Sequence, residues 1–318
     1  MLPRKRLLVI YFSQTGQVEQ AVRATLAPLE SVAQLHYASL RPVQPYPFPW
    51  SYRQFLEAFP DAVLGITHPV HPLNIDEATH FDLVVIAYQP WFLSISTPVL
   101  SFLESAQGQA LLKGRPVVTL LACRNMWLTS QARMQSVLAR AGARLVGQIA
   151  FADRAPNLVS LVTVLAYLLK GVSGRLLGIF PPYGISRTDL AQLAPRIGRC
   201  LGDHLASGQW ETLQAELATA GAVQVHPQLM LLESRASRMF RLYARFIAGR
   251  PAGSAARLRR LRLFGVLLPI GVVLLSPLAA LAAHVLRLVR RRHVDAEVRR
   301  HMGLPPPSPV PNTPEHAQ

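Results

Sequence analysis

The sequence is poor in cysteine, lysine and acidic residues. Cys123 and Cys200 are its only cysteines, which argues against a small disulfide scaffold and against a tetrahedral zinc site built on cysteine. Only 16% of the 318 residues are charged, below the ~25% of an ordinary soluble protein, whereas 50% are hydrophobic. A disordered polyelectrolyte is therefore excluded, because it needs low hydrophobicity as well as high net charge. No metal site is predicted.

Arginine supplies almost all of the positive charge. It accounts for 30 of the 33 basic residues, and with 17 acidic residues the formal net charge is +16. Residues 1–228 carry +5 of this charge and residues 229–318 carry +11. The C-terminal charge brackets an apolar run of 24 residues, Leu263–Leu286, instead of forming a solvated face interleaved with aromatic residues. The pattern predicts a membrane partner and no nucleic acid.

The apolar run permits two membrane arrangements. At 1.5 Å per residue it is long enough for the ~30 Å hydrocarbon core. Four arginines precede it and four follow it: Arg257, Arg259, Arg260, Arg262, Arg287, Arg290, Arg291 and Arg292. Because both flanks carry four arginines, the excess of positive charge on the cytoplasmic side cannot set an orientation. Pro269, Gly271 and Pro277 favour a kinked helix or two short arms. A single span and a monotopic segment both remain open, with a buried soluble helix as a third alternative. No signal peptide is recognised at the start, so the main body is expected in the cytoplasm.

Strand and helix signals alternate over residues 1–155. Five short apolar runs predict strands, at Leu7–Phe12, Ala33–Ala38, Asp82–Tyr88, Pro116–Ala122 and Leu145–Ala152. Helix-length segments separate most of them. This alternation predicts an α/β fold with a doubly wound parallel sheet, whose ligands bind at the carboxyl ends of the strands.

The rest of the chain predicts an insertion and three C-terminal segments. The proline-rich insertion, about residues 40–80, contains PYPFPW, whose aromatics would cap the sheet edge or cover a pocket. Residues 156–255 predict a helical extension that includes a basic amphipathic helix at 229–247, suited to a membrane surface or to an ordinary solvated face. Residues 256–302 form the arginine-flanked membrane segment, and residues 303–318 a proline-rich disordered tail.

Three loops that follow predicted strands carry the candidate cofactor-binding residues. The first turn opens a helix, where free N–H groups and the helix dipole favour a phosphate, although it matches neither GxGxxG nor a Walker loop. The second and third loops add aromatic and amide side chains. The candidates are Ser13, Gln14, Thr15, Gly16, Gln17 and Val18, then Gln89, Pro90, Trp91 and Phe92, then Cys123, Arg124, Asn125 and Trp127. Together these side chains suit a flat heterocycle with a phosphate tail. The structural alternatives have equal weight: Trp91 and Trp127 as core aromatics, and Arg124 as a surface charge.

These loops resemble known flavoproteins. YFSQTGQ, AYQPWFLSISTPVLSFLE and LLACRNMW are similar to the three FMN loops of the flavodoxin-like flavoproteins, with Gln17 and Val18 in place of a common Asn and of Thr or Ser. A narrower resemblance covers about residues 5–186. There VIYFSQTGQ, PFPW, FLEAFPDAVLGI, YQPWFLS, CRNMWL, NLVSLVTV and LLGIFPPYGIS resemble the dialkylresorcinol condensing enzymes. This resemblance implies FMN as cofactor and a role in dialkylresorcinol or aryl-polyene lipid biosynthesis.

Together with the arginine-flanked apolar run, the resemblance implies a membrane-associated, FMN-dependent oxidoreductase at the cytoplasmic face of a bacterial inner membrane. Its apolar, lipid-like substrate would be a cyclic dione, formed by a partner ketosynthase and aromatised to a resorcinol. One alternative is a quinone reductase with NAD(P)H as electron donor, and another is a non-catalytic membrane scaffold for the ketosynthase. No catalytic residue is assigned, and His68, His71 and His80 are placed only near the insertion.

Overall fold

The computed structural model describes residues 4–305, without the side chains of residues 273, 275–280, 283, 284 and 286–288. Its core is one parallel sheet of five strands, which are β1 (Lys5–Tyr11), β2 (Ala33–Ser39), β3 (Leu83–Tyr88), β4 (Pro116–Cys123) and β5 (Arg144–Ala152). They lie in the order β2-β1-β3-β4-β5. This is the flavodoxin-like order, with its topological switch point between β1 and β3. The predicted α/β class and doubly wound parallel sheet are confirmed.

Helices cover the sheet and continue beyond it. They are α1 (Gln17–Leu26), α2 (Tyr52–Leu64), α3 (Thr97–Leu103), α4 (Ala106–Leu112), α5 (Leu128–Arg140), α6 (Asn157–Lys170), α7 (Ala194–Ser207), α8 (Leu213–Thr219), α9 (Pro227–Ala248), α10 (Ala255–Val289) and α11 (Arg291–His301). The insertion contributes α2, and Ser51 caps the start of this helix. The Ser51 hydroxyl accepts from the backbone N–H of Gln54, and the Gln54 side chain accepts from the backbone N–H of Ser51, which together form a capping box. A short antiparallel hairpin, Pro90–Trp91 with Ser94–Ile95, follows β3.

Helices of the C-terminal extension pack directly on the sheet domain. A Cβ added to Gly198 of α7 would lie 1.9 Å from the backbone oxygen of Thr25, so the close approach of α7 to α1 requires glycine at this position. On the other side, Gly147 of β5 makes room for Leu213 and Leu217 of α8, both fully buried. These helices therefore share one hydrophobic core with the sheet.

The apolar run does not behave as one uniform segment. The backbone stays helical through Pro269, Gly271 and Pro277, where the sequence favours a kink or a break. Each proline removes only one backbone hydrogen bond, and α9 packs alongside α10. Phe264 is 1% exposed and stacks on Phe59 of α2, with 3.9 Å between ring centroids. One face of the first turn of the run therefore belongs to the protein core.

The opposite face of α10 is exposed. Its exposed apolar side chains include Leu263, Val266, Leu267, Ile270 and Leu274, at spacings of three and four residues that place them on one stripe. Among the residues that the structure describes, no helix has the length and apolar character that crossing a membrane requires. Of the tail predicted to be disordered, residues 306–318 lie outside the described part of the chain.

Candidate cofactor site

The three candidate loops leave the carboxyl ends of β1, β3 and β4. Because all five strands are parallel, these ends lie at one edge of the sheet. The first and second loops touch through the rings of Phe12 and Trp91, whose centroids are 5.9 Å apart. Helix α6 joins the third loop to the first, since Asn157 at its start accepts from Arg124 and the Tyr167 hydroxyl donates to the Thr15 backbone oxygen at 3.2 Å. The fold thus brings the loops into one neighbourhood.

The first turn keeps its backbone donors free. Gly16 has a left-handed φ of +84°, which lets the chain turn sharply into α1, and the Ser13 hydroxyl accepts from the Glu19 N–H at 3.2 Å. Within residues 4–305, the N–H groups of Gln14, Thr15 and Gly16 have no protein acceptor. Free N–H groups at the start of a helix form a site for an anion such as a phosphate.

Two residues of this turn face elsewhere. The Val18 side chain is buried in the core, so this position offers no side-chain group to an anion. The Gln17 amide donates to the backbone oxygen of Tyr183 at 3.4 Å, and a Cβ on Gly184 would lie 2.1 Å from that amide. Gln17 therefore holds a C-terminal segment against the turn.

Three amide side chains of the candidate set have polar atoms without partners. Among the residues that the structure describes, Gln89 finds no partner for either amide atom, nor do the carbonyl oxygens of Gln14 and Asn125, although all four atoms are shielded from solvent. The other ends of two of these amides are fixed, because Gln14 donates to the Pro47 oxygen at 2.9 Å and Asn125 to the Ala155 oxygen at 3.2 Å. A buried polar atom without a partner costs about 1–3 kcal/mol, so a bound polar group would offset a real penalty here.

The second loop is tightly bent and covered by the insertion. Phe92 and Leu93, at the tip of the hairpin, have φ values of +49° and +63°, a conformation that is strained for residues other than glycine. Pro90 and Trp91 form the outgoing strand of the hairpin. The buried Trp91 ring packs edge-on against Tyr46 at 4.8 Å and Trp50 at 5.0 Å. The PYPFPW aromatics thus lie over this edge of the sheet, and the Trp91 ring is engaged by protein.

The third loop is locked by contacts with neighbouring helices. Burial, with a smaller contribution from Glu233, raises the pKa of the Cys123 thiol well above its ordinary value, so this cysteine stays protonated. The Arg124 guanidinium donates to the Asn157 side chain at 2.6 Å. Trp127 is 2% exposed and precedes α5, whose second N–H, at Thr129, donates to Glu233 at 2.6 Å. Arg124 is thus held at α6, and Trp127 is a core aromatic.

Several residues at this edge escape sequence reasoning. Asp153 accepts from the Ser160 hydroxyl at 2.8 Å. It directly follows β5, so its position at the carboxyl end of a predicted strand could have identified it. Burial raises the pKa of Tyr183, which lies in the LLGIFPPYGIS stretch named above. Glu233, from α9, has no local signal because 104 residues separate it from its partner Thr129.

The histidines near the insertion lie elsewhere. His80 contacts Asp82 at 3.9 Å, just before β3, and is therefore at the opposite edge of the sheet. The His68 ring pairs with Asp61 of α2 at 2.8 Å. The backbone N–H of His71 donates to the Arg41 oxygen. Neither His68 nor His80 is brought to the three loops by these contacts.

Comparisons with known proteins give structural similarity only. No protein-family model and no curated protein matches this chain. A flavoprotein from Lactobacillus acidophilus, solved in complex with FMN, is 14% identical with a TM-score of 0.37, over 46% of this chain and 92% of that one. A protein assigned as a flavoprotein from Bacteroides uniformis is 15% identical with a TM-score of 0.37, over 53% and 100%. An archaeal flavodoxin is 11% identical with a TM-score of 0.30, over 53% and 99%.

Proposed function

We propose that this chain is a membrane-associated, FMN-dependent oxidoreductase of dialkylresorcinol or aryl-polyene lipid biosynthesis. The observation that carries the FMN part of the proposal is the group of shielded amide atoms without partners in Gln14, Gln89 and Asn125, beside a helix-opening turn with free N–H groups. This donor and acceptor set fits FMN, whose phosphate is an anion and whose ring has a polar edge. It lies at the switch point, where folds of this strand order bind their ligands.

The chain supplies complementary groups for each part of the cofactor. The N–H groups of Gln14, Thr15 and Gly16, with the Thr15 hydroxyl, would hold the phosphate. The amides of Gln89 and Asn125 would hydrogen-bond the polar edge of the ring. FMN, when bound, supplies a two-electron acceptor. The aromatics of the insertion would exclude water and provide an apolar surface for a lipid-like substrate.

Oxidation suits this site better than carbon–carbon condensation. A condensing enzyme needs an activated nucleophile, and Cys123 is the cysteine at these loops. Its thiol is fully buried and its pKa is raised well above the ordinary value, which opposes a thiolate. Aromatisation of a cyclic dione to a resorcinol instead removes two electrons and two protons, which a bound two-electron acceptor and a proton-accepting group can receive.

A flavin titration tests cofactor binding. The full chain, purified in detergent, should show a flavin spectrum or bind added FMN and quench its fluorescence. Gln89→Leu should weaken FMN binding about tenfold, for one hydrogen bond of about 1.4 kcal/mol. Gln34→Leu, on the exposed side of β2, is the matched control and should bind as the native chain does. Thr15→Val should weaken FMN but leave riboflavin unaffected, because riboflavin has no phosphate. Absence of FMN binding by the native chain would overturn the proposal.

Substrate oxidation separates the two enzyme classes. The FMN-loaded protein, mixed anaerobically with an alkylated cyclohexane-1,3-dione, should bleach its flavin absorbance and yield one resorcinol per flavin. Bleaching by NAD(P)H followed by reoxidation with a quinone, without any reaction of the dione, would favour a quinone reductase instead.

Membrane association is supported by charge and exposed apolar surface in the same helical pair. Helix α9 exposes Arg235, Arg238, Arg241 and Arg245. The exposed apolar stripe of α10 includes Val266, which is 59% exposed. Arginine beside apolar surface suits the boundary between lipid headgroups and acyl chains, and each arginine near an anionic surface contributes about 1 kcal/mol.

Vesicle sedimentation tests this arrangement. The full chain should co-sediment with phosphatidylglycerol vesicles more than with phosphatidylcholine vesicles, and less as salt is added. The double substitution Val266→Ser and Ile270→Ser should reduce sedimentation, whereas Val32→Ser with Ile66→Ser removes equally exposed apolar groups from the sheet domain and should not. Equal sedimentation of both double variants would refute a membrane contact through α10.

A membrane scaffold is the second candidate, and specific contacts favour it. Three protein contacts already occupy the first turn: Tyr167 on the Thr15 oxygen, Gln17 on the Tyr183 oxygen, and Gln14 on the Pro47 oxygen. A turn held in this way could preserve the sheet without a cofactor. Retention of a ketosynthase on vesicles by a chain that binds no FMN would favour the scaffold.

A further inference from the structure

Three side chains with metal-ligating atoms meet on the helical extension, outside the three loops. Cys200 and His204 are one turn apart on α7, and Glu216 faces them from α8. Their ligand atoms all lie within 4.8 Å of one another. His204 Nε2 is 3.1 Å and Cys200 Sγ is 3.9 Å from the same oxygen of Glu216, Oε2.

The orientation of His204 leaves a lone pair inside this cluster. The ring is nearly buried, and its Nδ1 lies 2.5 Å from the Gln209 backbone oxygen. A carbonyl oxygen only accepts, so Nδ1 carries the proton. In the neutral ring Nε2 then has a lone pair, which points at a carboxylate oxygen 3.1 Å away. Two acceptors at this distance repel each other unless a second proton or a cation lies between them.

We propose that Cys200, His204 and Glu216 bind one divalent cation of the zinc class. Tetrahedral bonds of about 2.3 Å to sulfur and about 2.05 Å to nitrogen and oxygen would place nitrogen and oxygen about 3.3 Å apart, and sulfur and oxygen about 3.6 Å apart. The observed separations, 3.1 Å and 3.9 Å, are within a few tenths of an ångström of these values. Thiolate and imidazole ligands select zinc-like metals over magnesium or calcium.

Neighbouring groups support the ligands. The Thr212 hydroxyl donates to the second oxygen of Glu216, Oε1, at 2.8 Å and leaves Oε2 for the metal. The Gln209 oxygen orients His204 in the way that carbonyls commonly orient metal-binding histidines. Cys200 and Glu216 line a shallow surface cleft of about 410 Å³, through which an ion and a water ligand could enter. Three protein ligands and one open position are the arrangement found in zinc sites that keep a water.

A cation at this place would join α7 to α8. Leu213 and Leu217 on the inner side of α8 pack against β5, so the ion would hold α8 on the edge strand of the sheet. We therefore expect the metal to stabilise the folded chain, because a ligand that binds only the folded state shifts unfolding to higher temperature.

A cobalt titration of the full chain in detergent tests the site. One equivalent of Co²⁺ should give the visible bands of a four-coordinate ion together with a thiolate-to-cobalt charge-transfer band, and Zn²⁺ should displace both. Cys200→Ser should remove the charge-transfer band, and Glu216→Gln should weaken binding. Thr212→Val, which removes only the support of Glu216, should weaken binding about 10–100-fold. His226→Gln and Glu211→Gln, which remove a histidine and a glutamate outside the cluster, should bind as the native chain does.

Thermal unfolding supplies a readout that does not depend on cobalt. Zn²⁺ should raise the melting temperature of the native chain and of the two control variants, but not that of Cys200→Ser or Glu216→Gln. The melting temperatures without metal establish that the variants fold. A thiolate–cobalt band that survives Cys200→Ser, or no uptake of either metal by the native chain, would overturn the proposal.

Discussion

Replacing Phe264 with alanine should destabilise the whole protein, although this residue lies in a run that looks like a membrane segment. The ring is 1% exposed, stacks on Phe59 with centroids 3.9 Å apart, and contacts Tyr243 at 5.5 Å and Phe240 at 6.2 Å. Removing a buried Phe costs about 3–5 kcal/mol, and three aromatic contacts place the expected loss in the upper half of that range. This is a large part of the ~5–15 kcal/mol that holds a typical domain together.

Urea unfolding of the full chain in detergent, followed by circular dichroism and by tryptophan fluorescence, measures this loss. Val266→Ala is the control, because that side chain is 59% exposed and its loss should change the free energy of unfolding by less than about 0.5 kcal/mol. In vesicle sedimentation the order should reverse: Val266→Ala should bind less than Phe264→Ala, because only Val266 belongs to the exposed stripe. If Phe264→Ala costs no more than Val266→Ala, then α10 does not pack on α2 in solution and the reasoning is refuted.

Substitutions at three further positions test individual contacts through the free energy of unfolding. Asp82→Asn should cost about 1–3 kcal/mol at neutral pH. Burial acts to raise the pKa of this carboxyl, but hydrogen bonds from a backbone N–H of β1 and from the Lys5 ammonium at 2.9 Å outweigh burial, so the net pKa is lowered. The stabilisation is therefore present at neutral pH and fades as pH falls through the lowered pKa. Burial raises the pKa of Glu233, so the native chain loses stability as this carboxyl ionises with rising pH. Glu233→Gln removes that loss, so its stability relative to the native chain should increase with pH. Glu233→Ala leaves the Thr129 N–H unpaired and should cost about 1–3 kcal/mol. Gly198→Ala places a Cβ 1.9 Å from a backbone oxygen of α1 and should cost about 1–3 kcal/mol.

Matched controls separate these effects from general damage. Glu77→Gln removes an exposed carboxylate near the same sheet edge as Asp82 and should leave the pH dependence unchanged. Gly202→Ala lies one turn after Gly198 on α7, and its Cβ would come no closer than 3.8 Å to another atom, so it should be neutral or slightly stabilising. A loss at Gly202 equal to that at Gly198 would contradict the close approach of α7 and α1.

The sheet was predictable because its signal is local. Runs such as Leu7–Phe12 and Pro116–Ala122 are apolar throughout, as strands buried on both faces must be, and helix-length segments separate most of them. The same local logic placed the turn at Gly16, where β1 ends and α1 begins. It did not identify α11 (Arg291–His301), which has few apolar residues, and it favoured a kink or two short arms at Pro269, Gly271 and Pro277, where the structure has one continuous helix.

The candidate site was predictable only in outline, because its details depend on distant pairs. That three loops share an edge follows from strand order. Strand order does not reveal that the Gln89 amide lacks a partner, because this depends on every element packed around Gln89. The Trp91 ring illustrates the same limit: an aromatic after a strand suits either a ligand or the core, and only the position of Tyr46 and Trp50 shows that protein surrounds it.

The C-terminal helical pair therefore cannot be treated as a removable anchor. Deleting the chain from Arg257 onward would remove any membrane-binding stripe, but it would also remove Phe264 from the core and the Arg257 guanidinium from its contact with Asp61 at 3.4 Å. Release of such a truncated protein from membranes would then report loss of fold as readily as loss of anchoring. Only substitutions confined to the exposed stripe, such as Ile270→Ser, change the surface while leaving the packing of α10 on α2 intact. Glu233 on α9 also accepts from the Thr129 N–H at the start of α5, so the helix that carries the proposed membrane-facing arginines directly contacts the helix that follows the third loop.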